Sequence, residues 1–171
     1  MYRHIDNSIG WLAKAMALLG GTVLIALIAM TCISIIGRTL VPLGLSPVKG
    51  DFEWMELGVG FAIFSFLPWA QYARGHARVD LFTPAFGKTM NRMIDLIADL
   101  MMFAASSIIA WRLWLGMLDK KSYTETTFIL QFPTWIAYAA GLLGAVAFVI
   151  VSAFCILRSA RNLRGSTSDQ Y

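Results

Sequence analysis

The sequence predicts an all-α membrane protein of four transmembrane helices, with both the N and C termini cytoplasmic. Three observations predict it. Four apolar stretches, at about 15–36, 54–72, 93–117 and 133–157, take up most of the 171 residues. Each is close to or above the roughly 20 residues that cross a hydrocarbon core as a helix. Charged residues make up 14% of the chain and hydrophobic ones 58%, whereas a soluble domain carries about a quarter charged residues. Finally, the basic residues flank the apolar stretches unevenly. Arg3, Lys14, Arg74, Arg78, Lys88, Arg92, Arg158, Arg161 and Arg164 fall on one side, and Arg38, Lys49, Arg112, Lys120 and Lys121 on the other. Positive residues in short loops stay in the cytoplasm, so the termini and the 73–92 loop are expected there. A net charge of +4 laid out in this way fits membrane topology and not a nucleic-acid-binding face.

The elements follow in order. The first apolar stretch is too long for the core of a signal peptide and lacks a convincing cleavage site, so it is read as a helix. Pro42, Gly44, Pro47 and Gly50 break the chain after it. The second helix opens on Glu53 and Glu56 and is followed by YARGHARVDLFTPAF at 72–86. Within that segment Val79, Leu81, Phe82 and Phe86 alternate with polar and small residues, and Pro84 discourages a continuous helix. Residues 77–87 are therefore expected to lie along the cytoplasmic membrane surface. The third helix carries Asp95, Asp99 and Arg112; Pro133 suits the first turn of the fourth. Trp11, Trp54, Trp69, Trp111, Trp114 and Trp135 all fall near span ends, where an amphipathic ring is most stable. The whole chain reads as one integral membrane domain ending in a polar, disordered tail at 165–171.

Polar residues inside a span are the first place to seek function. Asp95 and Asp99 share one face of the third helix. One reading is an ion or proton site. The other places Asp95 in the first turn, paired with Arg92, and gives Asp99 an internal partner. Two carboxylates on one helix are too few oxygens for a sodium cage, so neither is expected to bind a coupling ion. Arg112 is expected to pair with Glu53 or Glu56 and so brace helices two and three, with Arg38 competing for the same carboxylates. Arg74, His76, Arg78 and Asp80 read either as inside anchors or as a docking surface for another subunit. Glu125, Pro133 and Trp135 read either as a polar loop with a helix start or as an outer-face contact. Small residues four apart, Ala13, Ala17 and Gly21 on the first helix and Ala137, Gly141 and Ala145 on the fourth, let helices approach closely.

Several chemistries have no residues to support them. His4 and His76 both lie near the cytoplasmic side, which argues against bis-histidine haem. Cys32 and Cys155 sit in different spans and form no redox motif. No HExxH, P-loop or GxSxG sequence occurs. No catalytic residue, cofactor site or metal site is expected.

Three segments carry a family resemblance: DFEWMELG at 51–58, RGHARVD at 74–80, and ETTFILQFPTW at 125–135. With four spans in this order, over residues 6–161, the chain resembles the DctQ-like small membrane subunit (Q subunit) of tripartite ATP-independent periplasmic (TRAP) transporters. The family pattern after helix two is matched by Gly75, His76, Val79 and Asp80; Ala77 replaces its usual branched residue, which weakens any packing role there. The resemblance implies a non-catalytic scaffold in the bacterial inner membrane. Its partners would be a large TRAP membrane subunit and a periplasmic substrate-binding protein that delivers an organic acid for sodium-gradient-driven uptake. The alternative is a self-contained oligomeric exporter or channel, for which only Asp95, Asp99 and Arg112 are available to line a polar path.

Overall fold

The computed structural model describes residues 2–73 and 88–165. The elements are α1 (Tyr2–Thr39), α2 (Asp51–Tyr72), α3 (Lys88–Ser122) and α4 (Thr134–Gly165), with one 3₁₀ turn at Val41–Leu43 after α1. The described residues hold no strand, only an isolated bridge between Thr126 and Pro133. The protein is all-helical, as the sequence predicts. The expected surface segment at 77–87, and all but the first residue of the expected tail, lie outside the described residues.

The helices run well past the apolar stretches that announce them. At 1.5 Å per residue, the 38 residues of α1 reach about 57 Å and the 35 of α3 about 52 Å, against a hydrocarbon core of roughly 30 Å. Three helices, α1, α3 and α4, are long and apolar enough to cross a membrane. The 22-residue α2 is not among them. Asp51, Glu53 and Glu56 at its start, and Pro68 and Gln71 toward its end, dilute its apolar character.

Local chemistry sets the ends of α2. Gly50 precedes it with φ at 69°, a left-handed conformation that costs glycine little. A Cβ at Gly50 would also lie 2.6 Å from Leu130 Cγ. Asp51 and Glu53 then place negative charge in the first turn, where the helix dipole favours it.

Helix neighbours follow the order α1–α2–α4–α3, with α1 touching α4 only slightly. The chain thus inserts α4 between α2 and α3, although α3 precedes it in sequence. Small residues allow each close approach. Gly20 of α1 lies over Ser65 and the Ala62 carbonyl of α2. Gly116 of α3 faces the ring of Tyr138 of α4. Gly141 and Gly144 of α4 lie against Phe64 of α2, where Ala145 is fully buried. The α4 stripe expected from the sequence is therefore used inside the bundle. On α1 Ala13 is buried, but Gly21 has open space around it and Gly20 makes the contact.

The α2–α4 crossing has a further cause. Pro68 lies inside α2 and is buried. It has no N–H, so the Phe64 carbonyl one turn earlier lacks its usual helical donor. Gly144 brings α4 onto that same carbonyl: a Cβ there would sit 2.6 Å from both Phe64 C and Phe64 O.

Candidate functional site

The polar residues gather at two junctions, one at each end of the bundle. The first is built on the start of α2. Asp51 accepts a hydrogen bond from Ser34 Oγ of α1 at 2.5 Å and forms an ion pair with Arg38 at 3.4 Å. The Ser34 hydrogen bond leads in holding its carboxyl below the usual range; burial opposes this, and the Phe52 amide and Arg38 charge assist. Glu53 is buried at 8% exposure. Its two oxygens accept from the backbone amides of Ile129 at 2.7 Å and Leu130 at 2.9 Å, in the loop between α3 and α4. Burial pushes its pKa up, but the two amides, with the Thr127 hydroxyl, outweigh that and hold it below the ordinary value.

This corrects the expected brace. Glu53 does not pair with Arg112, because both its oxygens are committed to loop amides. The backbones of α2 and α3 are not in contact, because α4 lies between them. Arg112 is exposed on α3 and Glu56 is exposed on α2. Among the described residues neither has an ionic partner.

The loop held by Glu53 has its own internal order. Lys120 and Glu125 form an ion pair, and the carboxylate beside it raises the lysine pKa. The Glu125 carbonyl accepts from the Thr134 amide at 3.0 Å and its hydroxyl at 2.8 Å, which starts α4. Pro133 bridges to Thr126, and Lys121 Nζ lies 5.5 Å from the Trp135 ring centroid. Phe132 packs near Trp54, with ring centroids 6.2 Å apart.

The second junction joins the end of α2 to both ends of the chain and to α3. Asp99 is buried at 6% exposure. Its Oδ1 accepts from Gln71 Nε2 at 3.2 Å and its Oδ2 from Ser159 Oγ at 2.5 Å, linking α3 to α2 and α4. Tyr72 donates to Asp6 Oδ1 at 3.1 Å, tying α2 to α1. Arg158 of α4 donates to the Tyr72 carbonyl at 3.4 Å and lies over its ring. Asp95 is half-buried one turn from Asp99. Among the described residues Arg92 Nη1 is buried without a hydrogen-bond partner. Arg74, His76, Arg78 and Asp80 lie outside the described residues.

Sequence reasoning placed Asp99 and Glu53 among the candidates but missed Ser34, Gln71, Tyr72 and Ser159. Gln71 in an apolar stretch was a usable signal. A serine in a helix is not, since it commonly bonds its own backbone, as Ser65 does to the Phe61 carbonyl.

Among known families, the model of the tripartite ATP-independent periplasmic transporters, DctQ component, matches residues 27–164. The match covers both junctions almost whole and omits the first part of α1. No curated protein and no solved structure matches the chain.

Proposed function

The chain belongs to the DctQ component family of tripartite ATP-independent periplasmic transporters, and from that premise we propose that it is a non-catalytic small membrane subunit that scaffolds a large membrane subunit. All four helices cross the bacterial inner membrane in this reading, with both termini in the cytoplasm. A periplasmic protein delivers an organic acid, and a sodium gradient drives uptake through the large subunit. The observation that carries the reading is the family match over 27–164. The chemistry of the junctions is consistent with it: Glu53 and Asp99 are committed to hydrogen bonds that hold the bundle together.

The exposed charges Arg112 and Glu56 are the natural contacts for a partner inside the membrane. An arginine costs up to roughly 2.5–3.5 kcal/mol at the middle of a spanning helix on insertion scales, and less toward a helix end, where Arg112 lies. A carboxylate from a neighbouring subunit at the same depth would offset that cost. Glu125, Pro133 and Trp135 shape the outer loop in this reading, and Arg74, His76, Arg78 and Asp80 belong to a cytoplasmic docking segment.

The test is co-purification. The tagged chain, co-expressed with the large membrane protein encoded beside it, should bring that protein down in mild detergent at a fixed ratio. Efficient transport by the large protein after deletion of this chain would overturn the scaffold role. Cysteine labelling should find Lys49→Cys and Lys120→Cys reactive from the periplasm and Lys88→Cys from the cytoplasm. The reverse pattern would overturn the topology.

A further inference from the structure

The loop between α3 and α4 displays an apolar tip that nothing among the described residues covers. Phe128 is 96% exposed and Ile129 is 62% exposed. Side chains of this size are stabilised by roughly 1.5–3 kcal/mol each on full burial. The tip is nevertheless held firmly in this outward position. Thr127 and Phe132 bond across the loop, the Thr127 amide to the Phe132 carbonyl at 3.0 Å and the Phe132 amide to Thr127 Oγ1 at 3.1 Å. The Phe128 carbonyl accepts from Gln131 Nε2 at 3.3 Å. The Ile129 and Leu130 amides are taken by Glu53.

We infer that Phe128 and Ile129 insert into the boundary between headgroups and acyl chains of the leaflet at this end of the bundle, anchoring the α3–α4 loop in lipid. Two observations favour lipid. The Thr127, Ile129, Leu130 and Phe132 amides are all bonded within the chain, which a loop in water does not need and a loop entering a water-poor layer does. The tip also lies beside the first turn of α2, in a loop whose Phe132 packs near Trp54 and whose flanks set Lys121 over the Trp135 ring. Tryptophan with lysine marks the membrane interface, where the ring sits among headgroups and the ammonium meets phosphates. The inference rests on the membrane placement proposed above and is independent of the large subunit.

The test uses the full chain with Cys32→Ser and Cys155→Ala, reconstituted in vesicles of phosphatidylethanolamine and phosphatidylglycerol. Spin labels are placed at Phe128→Cys, at the exposed Ile63→Cys as a lipid-facing site, and at Ser122→Cys, the last residue of α3, as a site in water. Collision with oxygen reports lipid, and collision with a water-soluble nickel chelate reports solvent. Phe128→Cys should resemble Ile63→Cys, with oxygen collisions several-fold above those with nickel, and Ser122→Cys should show the inverse. A nickel-accessible label at 128 beside an oxygen-accessible one at 63 overturns the lipid anchor alone. Nickel accessibility at both overturns the membrane placement as well. Shielding of 128 from both reagents means that a second copy covers it, and also overturns the anchor. Hydroxyl-radical footprinting of the unmodified chain in the same lipids is the second measurement: Phe128 should be modified several-fold less than Tyr123, and equal modification refutes the inference.

Discussion

Replacing Gly144 with alanine inserts one methyl group where α4 meets α2. The added carbon would lie 2.6 Å from the carbonyl carbon and oxygen of Phe64 and 2.9 Å from its Cβ. Carbon contacts are most favourable near 3.5–4.0 Å, so the helices must separate by about 1 Å. No side-chain rotation relieves this, because two of the three atoms met are backbone. Overpacking of this kind costs roughly 1–3 kcal/mol. Alanine also gains about 0.8–1 kcal/mol over glycine in a helix interior. Gly21→Ala supplies the control, since nothing lies within 4 Å of a Cβ there. The helix preference is common to both variants and cancels, leaving a difference of about 1–3 kcal/mol, or roughly 5- to 150-fold in the unfolding equilibrium. Titration with sodium dodecyl sulfate in mixed micelles, followed by tryptophan fluorescence, measures it. Gly20→Ala, whose Cβ would meet Ser65 Cβ at 2.9 Å and the Ala62 carbonyl at 3.2 Å, should fall between the two. Equal stability of Gly144→Ala and Gly21→Ala would refute the close-approach argument.

The junctions and surface give four more expectations. Asp99→Leu removes the oxygens that accept from Gln71 and Ser159 and should destabilise the bundle by at least about 1–3 kcal/mol; adding Gln71→Leu should return part of that loss in the same titration, and a further loss would contradict it. Glu53→Gln presents an NH2 group to one of two amides that now meet oxygen, so hydrogen exchange at Ile129 or Leu130 should quicken while exchange in α3 stays unchanged. Asp51 and Glu53 both have folded pKa values below their unfolded ones, so their contribution is present at neutral pH and is lost as pH falls through the folded values, below the ordinary range of about 4; Trp54 fluorescence beside Phe132 should report this loosening in acid, and less of it in Glu53→Gln. Arg112→Ala should leave the unfolding titration of the isolated chain unchanged while reducing co-purification of the large subunit, without altering substrate preference; a destabilised isolated chain would restore an internal role for Arg112.

Apolar runs and flanking charge were enough to read an all-helical membrane chain, because burial in lipid demands long unbroken helices. The ends were not readable: α1 begins at Tyr2 and α3 at Lys88, well before the apolar runs, because helices continue into polar sequence when a neighbour supports them. Asp99 was legible as a buried group needing partners, but the identity of those partners depends on α4 lying between α2 and α3. The same order defeated the Arg112 brace. Position along α2 and α3 put Arg112 and Glu53 at one end, and nothing in the spacing revealed a helix between them. Glu53 illustrates the other limit, since backbone amides of a loop 76 residues away leave no side-chain signature.

The order α1–α2–α4–α3 has a mechanical consequence. Helices that pack 8–10 Å apart, with α1 and α3 at the two outer positions and out of contact with each other, form an elongated bundle that reaches at most about 30 Å from the first helix axis to the last. Its broad sides resist rolling and tilting in the bilayer far more than a compact rod of the same mass. In the scaffold reading proposed above, a neighbouring subunit that pushes against such a support would spread its recoil over a wide strip of lipid.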